Sequence, residues 1–112
     1  MKSINRTVIV ITPKKPYIDW ANSFEDDGPE LDPNSLHHSA YLIPDEYDEY
    51  NYEDFLKENF NLIFEEELSA WMADPSVWPQ DRDYSTFMDW FDIRACDTVI
   101  DLGETPIEIE EF

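Results

Sequence analysis

The residues best equipped for chemistry in this chain are its carboxylates. The densest run is DEYDEYNYED, residues 45–54, with six acids, three tyrosines and no cation. Metal binding, acid–base catalysis and recognition of a cationic partner could each use such a run. A calcium loop needs oxygen ligands at alternating positions and a glycine at its sharp turn, and this run offers neither. Asp81, Asp83, Ser85, Asp89 and Asp92 come closer, matching loop positions 1, 3, 5, 9 and 12. Thr86 stands where the glycine belongs, however, and Phe87 to Phe91 read as an apolar helix face, so a capped helix with solvated acids is expected there.

Other chemistries find less to work with. His37 and His38 are adjacent, which on a strand points them to opposite faces. Cys96 is the single cysteine, so neither a disulfide nor a thiolate metal pair can form within the chain. No metal and no cofactor is expected. A nuclease-like acid two residues before Lys57 is missing, because Phe55 stands there and Asp54 is three residues away. There is no glycine-rich phosphate loop and no nucleophile motif. Among 27 acids some pair will meet almost any glycosidase spacing, so such a pair carries no information.

Recognition therefore remains as the reading of the acidic run. Glu53 and Asp54 fall in the first turn of a helix, where each carboxylate is favoured by roughly 0.3–1 kcal/mol. Asp45, Glu46, Asp48 and Glu49 have no such reason in the sequence. Together with Tyr47 and Tyr50 they form the candidate interface. A second candidate is a ligand pocket from Trp78, Arg82 and Trp90. The competing reading makes the tryptophans core residues and Arg82 a tie to helix carboxylates or carbonyls.

Those residues sit in a chain of 112 residues with a formal net charge of −20. Residues 1–15 contain Lys2, Arg6, Lys14 and Lys15 and no acid, while all 27 acids follow, against Lys57, Arg82 and Arg94. That balance argues against direct nucleic-acid binding and against anionic membranes, both of which need cations facing phosphate. It suits a basic protein partner. Crowded acids are also expected to titrate above their usual range. At 42% hydrophobic and 15% aromatic residues the chain can build a core. The run VIVI is too short for a signal-peptide core, and no stretch approaches a membrane span, so a cytoplasmic protein is expected.

The elements that must position these residues follow from periodicity. RTVIVIT (6–12) reads as a central strand covered on both faces. PYIDWANSF (16–24) reads as a short helix and 25–35 as a loop. HSAYLI (38–43) reads as a second strand. From Tyr52 to Met72 an apolar stripe of Leu56, Phe60, Ile63, Phe64, Leu68 and Trp71 predicts a long helix, with Asn51 and Asp54 as its capping box. STFMDWFDI (85–93) reads as a shorter helix with Thr86 and Asp89 as a second box, which puts Trp71 and Trp90 close together in the core. DTVIDL (97–102) and PIEIEEF (106–112) alternate as strands. The expected fold is one α+β domain over 1–112. It has a small single sheet of three to four strands, packed by one long and one or two shorter helices.

The segment ELSAWMADPSVWPQDRDYSTFMDWF followed by TVIDL resembles a family of short bacterial proteins of uncharacterised function. The shared residues are Trp71, Asp74, Trp78-Pro79, Arg82, Phe87, Trp90-Phe91 and Val99-x-Asp101-Leu102, within roughly residues 41–102. Where the family pattern has His-Ser-Met, this chain has Cys96-Asp97-Thr98, so no histidine role carries over. The resemblance implies a bacterial source and a small α+β domain, and implies no reaction.

The function expected is that of a small, acidic, non-catalytic interaction protein. It would bind a basic protein through its carboxylate- and tyrosine-rich surface, in the manner of an inhibitor, an immunity protein or a DNA mimic. The alternatives are a small enzyme or ligand-binding domain built on the Trp/Arg pocket, or acidity that serves solubility alone.

Overall fold

A computed structural model of the chain describes residues 1–24, 31–32 and 38–112. Most of the loop expected over 25–35, and His37, lie outside the described residues. The chain starts with a two-residue strand, β1 (Lys2–Ser3), and continues into β2 (Arg6–Pro13). Pro13 ends that run, and Pro16 opens the first turn of α1 (Lys15–Ala21). Then come β3 (Ser39–Pro44), α2 (Tyr52–Trp71), a 3₁₀ turn (Pro75–Val77), α3 (Tyr84–Trp90), β4 (Phe91–Cys96) and β5 (Ile100–Asp101). The architecture is α+β.

The main sheet has three strands in the order β3-β2-β4, all antiparallel. β1 and β5 form a separate two-stranded ribbon. β2 is central, as its β-branched run predicts. It is not covered on both faces, because the buried residues alternate: Thr7, Ile9 and Ile11 point to the core, while Val8 and Val10 are half-buried on the far side. Neither valine belongs to the core or packs against it. The register sets rows across that outer face, Leu42–Val8–Cys96 and Ala40–Val10–Arg94. β-Branched residues favour either face of a strand, so the run could not tell one covered face from two.

The core lies between the inner face and the helices. Ile9, Ile11 and Ile43 meet Leu56, Ile63, Phe64 and Leu68 of α2, which are buried as the stripe predicts. At its centre Phe64, Phe87 and Phe91 form a triangle with ring centroids 5.8, 5.4 and 5.3 Å apart. Edge-to-face and tilted pairs at such distances add to the burial itself.

Three expectations are corrected here. The helix read over 85–93 stops at Trp90, where Phe91 turns extended and starts β4. β4 fills the second edge of β2, and its Phe91 and Ile93 alternate inward at strand period. DTVIDL yields only the short β5, and PIEIEEF forms no strand. Trp71 and Trp90 are only half-buried rather than part of the fully buried core. Trp90 touches the rings of Tyr17, Trp20 and Phe64, whereas the Trp71 indole N–H donates to the Ala21 carbonyl at 2.9 Å. The indoles of Trp20 and Trp78 likewise donate to the carbonyls of Val77 and Met72. These side chains tie α1, α2 and the 3₁₀ turn together.

Candidate functional site

The acidic stretch leaves β3 at Pro44 and turns into α2. The Tyr47 N–H donates to the Pro44 carbonyl at 3.1 Å. The buried Thr7 hydroxyl of β2 donates to the Tyr47 carbonyl, and the Tyr47 ring packs on Phe55 at 5.3 Å. The loop is thus fastened to the sheet and to α2 through Tyr47. Burial first, then the charges of Glu46, Glu58 and Asp54, raise the Tyr47 phenol above its ordinary range.

Asp48 has the structural reason that the sequence did not reveal. Its Oδ1 accepts the backbone N–H groups of Tyr50 and Asn51, at 2.8 and 3.0 Å. Asn51, expected as the helix cap, makes no cap bond. Its Oδ1 accepts the Asp48 N–H at 2.6 Å and its Nδ2 donates to the Glu46 carbonyl at 3.4 Å. The two side chains close one turn between them, a common use of Asx residues. The same substitution of roles occurs at α3. Asp83, not Thr86, is the cap, and its carboxylate accepts the Thr86 N–H and hydroxyl.

The six candidate interface residues therefore divide. Tyr47 and Asp48 hold the loop, while Asp45, Glu46, Glu49 and Tyr50 are exposed. Tyr50 is 87% exposed, and its phenol is raised above the ordinary range by a hydrogen bond to Glu49, then by the charge of Glu49. The charge of Asp97 acts on the same phenol. Asp97 was not a candidate from sequence, because only the pairing of β4 with β2 carries the turn after β4 towards Tyr50. The acids continue onto the solvent side of α2 with Glu53, Asp54, Glu58 and Glu66, around a Leu62 that is 74% exposed.

Trp78 and Arg82 are neighbours, with the guanidinium carbon 5.9 Å from the indole centroid. Arg82 is a tie. Its Nε donates to Asn61 at 2.9 Å, one terminal nitrogen to the Pro79 carbonyl at 2.7 Å and the other to Glu65 at 3.0 Å. It fastens the segment after the 3₁₀ turn to α2. Trp90 takes its ring contacts from Tyr17, Trp20 and Phe64. Two of the acids with near-calcium spacing have structural partners. Asp83 caps α3, and Asp92 stands on β4 beside Arg94 at 3.7 Å.

Among the described residues, one carboxylate is buried. Glu67 of α2 lies beneath β3, where its Oε2 accepts the Ser39 hydroxyl at 3.1 Å and its backbone carbonyl accepts the Tyr17 phenol at 2.7 Å. Burial raises its pKa, the Ser39 bond opposes this, and Glu66 adds to the rise. Asp74 and Asp83 move the other way, held below the usual range by the bonds they accept from Ser76 and Thr86. Burial, not crowding, is the first cause of the Glu67 rise, and hydrogen bonds move Asp74 and Asp83 against the upward direction expected for crowded acids. Among the described residues, no helix is long and apolar enough to cross a membrane. Comparison of the chain with protein-family models, curated proteins and solved structures gives no match.

Proposed function

We propose that this chain is a small non-catalytic interaction protein whose acidic loop and α2 face dock on a basic protein partner. The observation that carries the reading is a set of exposed acids, Asp45, Glu46, Glu49 and Asp97, of which Glu49 and Asp97 act on the protruding Tyr50 phenol. Local structure explains Asp48 but not these four. Tyrosine supplies contact area with a polar tip, and a concentrated negative field raises association rates by about 10 to 10³. Leu62 on the adjoining helix face offers an apolar contact within the same field. The partners that suit such a surface are cationic proteins, including those that otherwise hold nucleic acid, for which the carboxylates would stand in place of phosphates.

The test uses the chain immobilised at low salt against extract of its host, with elution by rising salt. The same capture is repeated with Glu46→Lys/Glu49→Lys, which leaves Asp48 and its turn in place. A basic protein released by salt from the wild-type chain, and associating with the double variant at least about tenfold more slowly, supports the proposal. Equal association of that protein with both chains at low salt refutes it.

A further inference from the structure

We infer that the corner where the C-terminal segment meets the start of β2 is a binding site for a small neutral carbonyl compound, a medium-chain ketone or ester. The inference goes beyond the basic-partner reading, since none of its residues belongs to the acidic loop or to α2.

The corner follows from the lengths of the strands. β3 ends at Pro44, opposite Arg6, so Ile4 and Asn5 have no β3 residue paired with them. On their other side the Ile4 N–H still donates to the Val99 carbonyl at 2.8 Å, and β1 pairs with β5. The segment after β5 returns to this gap. Its Ile107 and Ile109 join Ile4, Asn5, Arg6 and Leu42 around an open cavity of about 240 Å³. Glu108, between the two isoleucines, is not part of the lining. The segment thus offers alternate side chains to the cavity, as an extended chain does, without forming a strand.

The lining specifies the body of a ligand. Leu42 is 60% exposed, Ile107 60% and Ile109 84%. Three large aliphatic side chains around one cavity therefore keep much of their surface in water, and an apolar body seated between them removes it. Taking the cavity's 240 Å³ against about 30 Å³ for a water-sized group, the body has about eight carbons.

The polar residues specify the head. One terminal nitrogen of Arg6 donates to the Asn5 carbonyl at 2.8 Å. A guanidinium carries five N–H donors and no acceptor, so the head must accept a hydrogen bond. Charge then selects among acceptors. A cationic head meets Arg6 and has nothing to accept with. An anionic head meets a chain of net charge −20, with Glu108 and Glu110 on the segment that lines the cavity. A carbonyl oxygen takes the guanidinium proton without either repulsion.

Amide-resolved NMR titration of the full chain with 2-octanone tests this. Saturable shifts are expected at Asn5, Leu42 and Ile109, with a Kd of about 0.1–1 mM for so open a site. Octylamine, protonated at neutral pH, and octanoate keep the chain length and change the charge of the head. Each is expected to bind at least about tenfold more weakly than the ketone. Arg6→Met keeps an apolar stem and removes the donors, and should weaken the ketone by a similar factor. Ile107→Ser/Ile109→Ser should abolish the shift at Leu42 and leave the fold intact, because both isoleucines are exposed. The absence of any saturable shift overturns the inference. Octylamine or octanoate binding as tightly as the ketone does so too, as does undiminished binding to either folded variant.

Discussion

At the scale of single residues, the side chains that matter most are those with many partners rather than those with unusual chemistry. Phe64 and Phe87 are fully buried and share the central aromatic triangle. Phe87→Ala should cost roughly 3–5 kcal/mol. Trp90→Ala should cost less, because that ring keeps one side in water; urea midpoints of the two variants give the order directly. Arg82 presents its donors in three directions, to Asn61, Pro79 and Glu65, and its side chain is 15% exposed. Lysine cannot reproduce that fork. Arg82→Lys should therefore lose about 1–2 kcal/mol, a figure kept low because Glu65 is partly solvated. An unchanged midpoint would make the guanidinium dispensable to the fold and free for a ligand. Glu67 carries the clearest pH signature. Its pKa is raised in the folded chain, so its cost to stability is present above that raised value. The cost is relieved as pH falls through it towards the unfolded value near about 4.3. Asp74 and Asp83 are depressed, so their contribution is present above about 3.9 and is lost below it. Stability should rise on mild acidification and fall again below about pH 4. Glu67→Gln keeps an acceptor for Ser39 and should remove the rise while leaving the fall. A variant that still shows the rise would assign it to other acids.

At the scale of elements, what could be read from the sequence was what depends on local periodicity. The long helix announces itself because Leu56, Ile63, Phe64 and Leu68 return to one face every three or four residues. β2 does so through its uninterrupted β-branched run. β4 does not, because FDIRAC continues the helical spacing of Phe87, Trp90 and Phe91 and becomes a strand only once β2 offers it an edge. Tertiary pairing here overrides a local pattern that fits two structures. The C-terminal segment shows the converse. PIEIEEF alternates as a strand should, yet it finds no backbone partner among the described residues, and alternation alone provides none. At the candidate site the cluster of acids was legible. Its division into turn-formers and free groups was not, since whether an aspartate such as Asp45 or Asp48 closes a turn depends on which backbone amides lie within reach. A chain ending at Gly103 tests the status of the last segment. If residues 104–112 hold no strand, the shortened chain should keep its far-ultraviolet dichroism and melt within a few degrees of the full one. Loss of cooperative melting would mean that the segment is an integral part of the sheet.

At the scale of the whole molecule, acids far outnumber lysines and arginines, 27 against 7. Ion pairs join Lys15 to Asp19, Arg82 to Glu65 and Arg94 to Asp92, and at that ratio most acids cannot each have a cation of their own. Repulsion among these acids opposes the compact state, and the unfolded chain relieves it by spreading them apart. Added salt should therefore stabilise the fold. Between 0.02 M and 0.5 M sodium chloride a rise of several degrees in melting temperature is expected, since about 1 kcal/mol shifts a domain of this size by roughly 4–8 °C. Sodium sulfate would confuse the result by strengthening apolar burial as well, so the comparison belongs to chloride. Glu46→Lys/Glu49→Lys provides the internal check. It moves the net charge from −20 to −16, by two reversals of two units each, and acts on exposed positions whose side chains no turn requires. The variant should melt at or above the wild-type temperature at low salt, and the difference should shrink as salt rises. A double variant that melts lower at every salt concentration would show that Glu46 or Glu49 makes a local contact worth more than the repulsion it adds. The acidic loop would then be held by its charges rather than in spite of them.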